Sequence, residues 1–124
     1  MLPLPPLTDE TLWAILQDEL PDGVVNQLVW VGLGYRYVRE TEMWSSEGVS
    51  PAWQTDYPTP PDFIDSRPAV VKLTRSIPPE DKQLLKEELG FAGYTVSELT
   101  PRRTRRATMV NWLLGYRRRM QATA

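Results

Sequence analysis

The chain has 124 residues, of which 41% are hydrophobic and 24% charged, and its formal net charge is −2. These values are ordinary for a globular protein, and the length suits one domain with one hydrophobic core. The chain has no Cys and no His, which excludes disulfides, thiolate and imidazole metal ligands, and every nucleophile–imidazole dyad. We therefore expect a protein that is not an enzyme and that holds no cofactor and no metal.

The sequence indicates neither a membrane span nor a secretory signal. Its longest apolar run, "LVWVGLG" at residues 28–34, is much shorter than the ~18 apolar residues that a transmembrane helix requires. The first residues, "MLPLPPLTDE", lack the basic region and the small-residue cleavage site of a signal peptide. We expect no membrane span and a cytoplasmic location.

The N-terminal third predicts an arm followed by two helices. "MLPLPPL" is too rich in proline for a helix and indicates an extended arm over residues 1–7. Thr8 is a predicted N-cap, and leucine and isoleucine at helical spacing continue the first helix until Pro21 ends it. Asp22 is the predicted cap of a second, almost wholly apolar helix. Because that helix contains several β-branched residues, strand is the alternative over residues 24–33.

The middle of the chain predicts a hairpin and an irregular segment. "YRYVRETEMW", which follows Gly34, places apolar residues on both sides of a polar turn and indicates a short β-hairpin. Residues 45–67, "SSEGVSPAWQTDYPTPPDFIDSR", combine many prolines with aromatic residues that disordered linkers usually lack. We expect this segment to wrap the surface, with its aromatic side chains as anchors.

Three further helices are predicted after this segment. Ser66 is a candidate cap for the first, and "IPPEDKQLLKEELG" indicates the second, with Gly90 just beyond its end. "FAGYTVSEL" reads as a connector that can supply a short strand. Thr100 then caps a final helix over residues 101–121. The sequence therefore predicts a single domain over 1–124 with a mainly α fold (α+β): a compact bundle of about five helices with one short β-hairpin.

The charge is unevenly distributed along the chain. Residues 101–124 contain seven of the 14 Lys and Arg residues and none of the 16 Asp and Glu residues, so this basic helix carries +7 and the preceding residues carry −9. Such asymmetry indicates either internal pairing or an acidic partner. The last three arginines, Arg117, Arg118 and Arg119, lie near a helix C-terminus, where cations interact favourably with the helix dipole.

The arginines in the first turns of this helix are unusual, because positive charge there opposes the helix dipole. A helical wheel places Arg102, Arg105 and Arg106 toward the core and Arg103 off that side. On the face opposite the apolar stripe, the wheel places Thr104, Thr108, Asn111 and Gly115.

Three interpretations of this arginine group remain open. The first is an internal salt-bridge network with the acid-rich first hundred residues, for example with the acids of the predicted helix at residues 80–88, which suits the planar guanidinium. The second is a binding surface for an acidic protein or for nucleic acid. The third is a pocket for a small anion such as phosphate or sulfate.

Aromatic residues supply a second set of candidates. Trp13, Trp30 and Trp112 fall on apolar helix faces and are predicted core residues. Trp44, Trp53 and Tyr57 flank or belong to the irregular segment and are candidate interface residues, because aromatic side chains are enriched in protein interfaces. Internal anchoring is the alternative for these three residues.

Several stretches of the chain resemble a known family. They are "TLWAILQDEL", "NQLVW" with "LGYRY", "YPTPPDFIDSRPAVVKLTRSIPP", "KQLLKEELGF", and "TRRAT" with "NWLL". Together they resemble a small domain-of-unknown-function family of cyanobacteria and plant chloroplasts, over about residues 4–120. The resemblance implies a cyanobacterial protein of a photosynthetic lineage. It implies no activity and no site residues.

The favoured function is a non-enzymatic protein-interaction or assembly module that contacts an acidic protein partner through the Arg-rich C-terminal helix. One alternative is an RNA- or DNA-binding protein that uses Arg102, Arg103, Arg105 and Arg106 of the same helix. The other is an enzyme or binder of a small phosphorylated or carboxylated metabolite held by these arginines.

Overall fold

The computed structural model describes residues 3–123 and consists mainly of α-helices. The helices are α1 (Asp9–Leu16), α2 (Asp22–Leu33), α3 (Pro51–Asp56), α4 (Arg67–Arg75), α5 (Leu84–Leu89) and α6 (Pro101–Thr123). Two strands, β1 (Arg36–Val38) and β2 (Met43–Ser45), pair in an antiparallel hairpin. The prediction of a mainly α fold with one hairpin is confirmed, with six α-helices in the described residues where about five were predicted.

Helix α6 is the central element, and the other long elements pack around it. It contacts α1, α2, α4, α5 and the 3₁₀ turn Pro79–Asp81, and its residues 109–115 are all buried. Asn111 tolerates this burial because its Nδ2 donates to the backbone carbonyl of Asp81 at 3.2 Å. The face that the wheel assigned to Asn111 and Gly115 is therefore covered at these two residues, which sequence periodicity alone did not indicate.

The first two helices follow their predicted caps, with two differences. Thr8 caps α1 by accepting a hydrogen bond from the amide of Thr11 at 3.2 Å. The helix ends at Leu16, earlier than the predicted end at Pro21, because Asp18 adopts a left-handed conformation with φ of 61°. Asp22 is the first residue of α2 and not its cap, since Pro21 occupies the cap position. Residues 24–33 are helical, so the strand alternative is wrong.

The hairpin packs its aromatic residues against α2. Tyr37 and Trp44 are paired across the strands, and their rings meet edge to face with centroids 5.7 Å apart. Trp44 also contacts Trp30 of α2 edge to face at 5.1 Å. At the start of the hairpin, Gly34 has φ of 113°, and a Cβ there would collide with the carbonyl oxygen of Gly48. The chain can make this close crossing only because both residues are glycine.

The segment over 45–67 is less irregular and more deeply inserted than predicted. It contains α3, and four of its apolar side chains, Val49, Trp53, Phe63 and Ile64, are buried in the core. The hydroxyl of Tyr35 donates to the backbone carbonyl of Tyr57 at 2.6 Å and fixes the segment to the end of α2. Its aromatic residues therefore anchor it, as expected, but they do so inside the molecule.

The remaining elements confirm two caps, correct one helix boundary and replace one predicted strand by a turn. The Ser66 hydroxyl accepts from the amide of Ala69 at 3.3 Å and caps α4, and Gly90 ends α5 with φ of 68°. The "IPPED" stretch forms a 3₁₀ turn, so α5 is shorter than predicted. No strand forms in "FAGYTVSEL", which instead contains a 3₁₀ turn, Val96–Glu98, closed by a Thr95–Glu98 capping box.

The two ends of the described chain are residues 3–7 and the last turn of α6. Residues 3–7 adopt neither helix nor strand, and Leu4 and Leu7 pack against the core. Residues 1 and 2 of the predicted arm lie outside the described residues. Helix α6 extends to Thr123, where the sequence predicted an end at residue 121. Over residues 3–123, the structure has no helix whose length and apolar character would let it cross a membrane.

Candidate functional site

Arg106 is the only one of the seven α6 arginines whose side chain is fully buried, at 0% exposure. Its Nη1 donates to Asp22 Oδ1 at 2.7 Å, Nη2 donates to the carbonyl of Leu20 at 2.7 Å, and Nε donates to the carbonyl of Ile15 at 3.2 Å. Burial lowers the pKa of Arg106. The guanidinium is thus fixed by the end of α1 and the start of α2, with no donor directed toward solvent.

Arg102 belongs to the same cluster. Its guanidinium bonds Asp22 and also contacts Asp18 Oδ1 at 2.6 Å. The hydrogen bond from Arg102 lowers the pKa of Asp18, and the bonds to Asp18 and Asp22 raise the pKa of Arg102. Arg102, Arg106, Asp18 and Asp22 form what we call the Asp–Arg cluster. It is an internal network with acids of the first hundred residues, as the first interpretation has it, but these acids come from the α1–α2 junction and not from the example helix at residues 80–88.

The other two arginines of the predicted group have different surroundings. Arg103 lies over the ring of Tyr94, with its guanidinium carbon 5.8 Å from the centroid, and its Nη1 is 3.8 Å from Glu98 Oε2. Arg105 donates to the backbone carbonyl of Ile64 at 2.7 Å and has no carboxylate partner among the described residues. The four arginines therefore do not converge on one anion site.

The far end of α6 is also paired internally. Arg117 contacts Asp9 at 2.8 Å and Glu88 at 2.9 Å, so it joins the end of α6 to α1 and α5. Arg118 and Arg119 lie 3.5 and 3.2 Å from the carboxylate of Asp81. Asp81 and Glu88, two of the acids at residues 80–88, thus pair with this end of the helix. Six of the seven α6 arginines have a carboxylate within 4.0 Å, and Arg105 does not.

The positive charge that lacks a carboxylate partner lies mainly on other elements. Within residues 3–123, the cations without such a partner are Arg36, Arg39, Arg67, Arg75, Lys82, Lys86 and Arg105. Three of them, Arg67, Lys82 and Arg105, border the same depression in the surface. Neither Arg67 nor Lys82 belongs to a dense run of basic residues, so the sequence carries no signal that would single them out.

This depression consists of two adjoining cavities of about 530 and 370 Å³, which share Thr74, Thr104 and Thr108. We call it the α4–α6 groove. Its floor is one face of α6, formed by Thr104, Ala107, Thr108 and Asn111. Its apolar walls come from Val70 and Val71 of α4, Ile77 beyond it, Leu85 of α5 and, at one end, Leu99. Neither cavity is lined by Asp or Glu.

Three of the polar side chains of the groove already donate hydrogen bonds. Thr74 Oγ1 donates to the carbonyl of Val70 at 2.8 Å, and Thr108 Oγ1 donates to the carbonyl of Thr104 at 3.2 Å, each within its own helix. Asn111 donates away from the groove to Asp81. With these donors used, the groove offers a mainly apolar surface bordered by positive charge. Leu99, which is 58% exposed, extends that surface at one end.

The aromatic candidates lie elsewhere. Trp44 is half-buried between Trp30 and Tyr37, and Trp53 is buried against Phe63, which favours internal anchoring for both. Trp53 and Tyr57 border a second depression of about 550 Å³ between α3 and α4. There Lys72 is paired with Asp56 at 2.7 Å, so that depression lacks the uniform charge of the α4–α6 groove.

Over residues 3–123, these features define a small, mainly α-helical protein in which carboxylates pair with six of the seven arginines of the basic helix and a cationic, mainly apolar groove lies along its flank. The chain belongs to the DUF1823 family, a domain of unknown function, whose model matches residues 6–118. A structure solved in solution by NMR is similar, with 62% sequence identity and a TM-score of 0.81, over 98% of this chain and 99% of the other. No curated protein matches the chain significantly. The cyanobacterial and chloroplast lineage stays a prediction.

Proposed function

We propose that this protein is a non-enzymatic, single-domain interaction module that binds an acidic, partly apolar segment of a protein partner in the α4–α6 groove. The observation that carries the proposal is the composition of the groove: Arg67, Lys82 and Arg105 border an apolar surface that no carboxylate lines. A cytoplasmic location and the photosynthetic lineage implied by the family resemblance are parts of the same proposal.

The proposed contact surface lies along one flank of the Arg-rich helix and not at its two ends. Arg102 and Arg106 are held by Asp18 and Asp22, so binding an external anion there would require breaking internal bonds. Arg105 is the α6 arginine that retains an uncompensated charge beside the groove. Complementary charge at the border of an apolar surface favours correct orientation and fast association of an acidic partner.

The groove favours a protein partner over nucleic acid. Nucleic-acid affinity depends on many cations that contact successive phosphates, whereas Val70, Val71, Leu85 and other apolar side chains form the walls of this groove. The formal net charge of −2 also opposes binding to a polyanion. A protein segment can bury apolar side chains in the groove and direct carboxylates to its border.

A matched pair of charge-reversed variants tests the proposal. R67E/K82E reverses two exposed cations at the groove, and R39E/K86E reverses two exposed cations outside it. Both variants change the net charge equally, and none of the four side chains has a carboxylate partner in the described chain. Arg105 is retained because its bond to a backbone carbonyl belongs to the fold.

The probes are a displayed library of random peptides selected on the wild-type protein and a single-stranded uridine oligonucleotide. We expect the selected peptides to be acidic and apolar and to shift the amide resonances of Thr74, Thr104 and Thr108 in ¹⁵N-labelled protein. We also expect R67E/K82E to bind them about ten-fold more weakly and R39E/K86E to bind them normally. Equal binding by both variants, the absence of acidic binders, or tighter binding of the oligonucleotide at the same resonances would contradict the proposal.

A further inference from the structure

The backbone of the groove restricts the conformation of its occupant. An extended segment usually binds by adding to the edge of a sheet, which supplies main-chain partners. The walls and floor here are mostly helices α4, α5 and α6, whose interior backbone groups are paired within each helix, and neither β1 nor β2 lines the groove. An extended segment would therefore lose its main-chain hydrogen bonds with water and gain few in return.

A helix satisfies its own main chain, and the floor of the groove suits one. Thr104, Ala107, Thr108 and Asn111 have the spacing i, i+3, i+4 and i+7 and so form one strip along α6. Three of these four side chains are small, which allows a second helix to approach closely enough for ridges to fit between them. Pro101, which also lines the groove, continues this strip toward the start of α6, so from Pro101 to Asn111 the groove follows the helix for about 15 Å, the length of a helix of about ten residues.

The charges lie toward the two ends of this strip. Arg67 and Arg105 line the cavity that reaches Leu99 and Pro101, and Lys82 lines the cavity that reaches Ile77 and Asn111. Between them lie the three shared threonines, which carry no charge, and two of them, Thr74 and Thr108, donate their hydroxyl protons within their own helices. The centre of the groove is therefore its least charged part.

From this arrangement we infer that the α4–α6 groove binds an amphipathic α-helix of about three turns, with an apolar stripe at its centre and carboxylates at both ends. This inference rests on the proposed function and adds to it the conformation and the charge pattern of the partner segment. Leu, Ile or Met side chains of the stripe would contact Val71, Leu85 and Leu99, and the terminal carboxylates would pair with Arg67 and Lys82.

The experiment uses two displayed peptide libraries selected on the protein of residues 1–124. Both have randomised positions drawn from the same mixture of Glu, Asp, Leu, Ile, Ala and Gln, and they differ only in one central residue. That residue is Ala in the first library and Pro in the second, which breaks a helix at its middle. Selected peptides are then titrated into ¹⁵N-labelled protein, and their conformation in the complex is measured by NMR.

We expect binders from the Ala library to be helical when bound, to shift the resonances of Thr104, Ala107 and Thr108, and to lose about ten-fold in affinity when their central Ala is changed to Pro. Binders of similar affinity from both libraries, acting at the same resonances, would overturn the helical inference and leave the proposed function standing. If neither library yields a peptide that shifts these resonances, the proposed function and the inference both fail.

Discussion

Arg106 Nη1 lies 2.7 Å from Asp22 Oδ1, and this ion pair joins the buried part of α6 to the first turn of α2. Arg106 is completely buried, whereas the Asp22 side chain retains 40% exposure and also bonds Arg102. Loss of one partner therefore has different consequences for Arg106 and for Asp22. Without Arg106, Asp22 keeps solvent and a second cation; without Asp22, Arg106 keeps two backbone carbonyls and the carboxylate of Asp18 at 3.8 Å.

This asymmetry predicts different costs for removing the two partners. D22N should lower the free energy of unfolding by about 3 kcal/mol, because it leaves a buried cation poorly compensated. R106M should cost less than D22N, and the double variant D22N/R106M should be more stable than D22N alone. Urea unfolding of the four proteins measures this order. D9N, which removes an exposed partner of Arg117, is the control and should change stability by less than about 1 kcal/mol.

Substitution by Ala should have opposite effects on stability at two glycines of α2. A Cβ on Gly32 would lie 2.7 Å from Cζ3 of Trp112, whose ring is stacked on Tyr116 and cannot move aside easily. A Cβ on Gly23 would meet nothing within 4 Å. G32A should therefore destabilise the protein by about 1–3 kcal/mol through overpacking. G23A should be neutral or stabilising by up to about 1 kcal/mol, because alanine favours the helix.

Thermal and urea unfolding of G32A and G23A check this prediction directly. The two variants carry the same chemical change in the same helix, so the difference between them isolates the contact with Trp112. Equal stability of G32A and G23A would show that Trp112 can reposition at little cost.

Local signals in the amino-acid sequence correctly predict several helix caps and ends. Thr8 and Ser66 cap the helices that they were expected to cap, and Gly90 ends α5 in the left-handed conformation. These signals act within a few residues, so no knowledge of packing is needed to interpret them. The end of α1 was misplaced because Asp18 adopts a left-handed conformation, which locally costs energy, and its carboxylate contacts Arg102.

The candidate site depended on packing that periodicity does not encode. A helical wheel correctly gave Arg106 a direction toward the core, but it could not show which acids would meet it there. The same wheel placed Thr104 and Thr108 on a polar face. That face borders an apolar groove because α4 and α5 supply its walls and the Thr108 hydroxyl is bonded within α6. Arg67 and Lys82 join Arg105 only through this packing.

Because of Tyr35, the protein should lose stability at alkaline pH. Its side chain is fully buried and donates to the carbonyl of Tyr57, and burial, with a smaller contribution from Tyr57, raises the pKa of Tyr35 to about 12. In the unfolded chain the phenol ionises near pH 10. Between these values the folded state holds a proton that the unfolded state has released, so stability falls as the pH rises, by at most about 1.4 kcal/mol per pH unit.

The Y35F variant separates this effect from the ionisation of other residues. It should be less stable near neutral pH by about 1 kcal/mol, because it loses the hydrogen bond to Tyr57. Its free energy of unfolding should then decline less steeply than that of the wild type above about pH 10. Parallel curves for the two proteins across this range would contradict the assignment of the slope to Tyr35.

A single substitution at Asn26 should make the stability of the protein depend on pH. It is 3% exposed; its Nδ2 donates to Asp62 Oδ1 at 3.0 Å, and its Oδ1 accepts from the amide of Phe63 at 3.0 Å. Burial raises the pKa of Asp62, but hydrogen bonds from Asn26 and from the amides of Asp65 and Ile64 outweigh it and lower that pKa overall. Asn26 thus favours the ionised form of Asp62.

N26D replaces this donor by a carboxylate that faces Asp62 at hydrogen-bond distance, so the two groups cannot both ionise without repulsion. Their folded pKa values should rise above those of the unfolded chain, and the folded state then binds the extra proton. N26D should therefore be strongly destabilised near pH 7.5 and should recover stability as the pH falls toward about 5. N26L, which removes both hydrogen bonds without adding charge, should lose about 2–4 kcal/mol at both pH values. The free energy of unfolding of both variants is measured in urea at the two pH values. If the difference in this free energy between N26D and N26L is the same at both pH values, the two carboxylates do not interact.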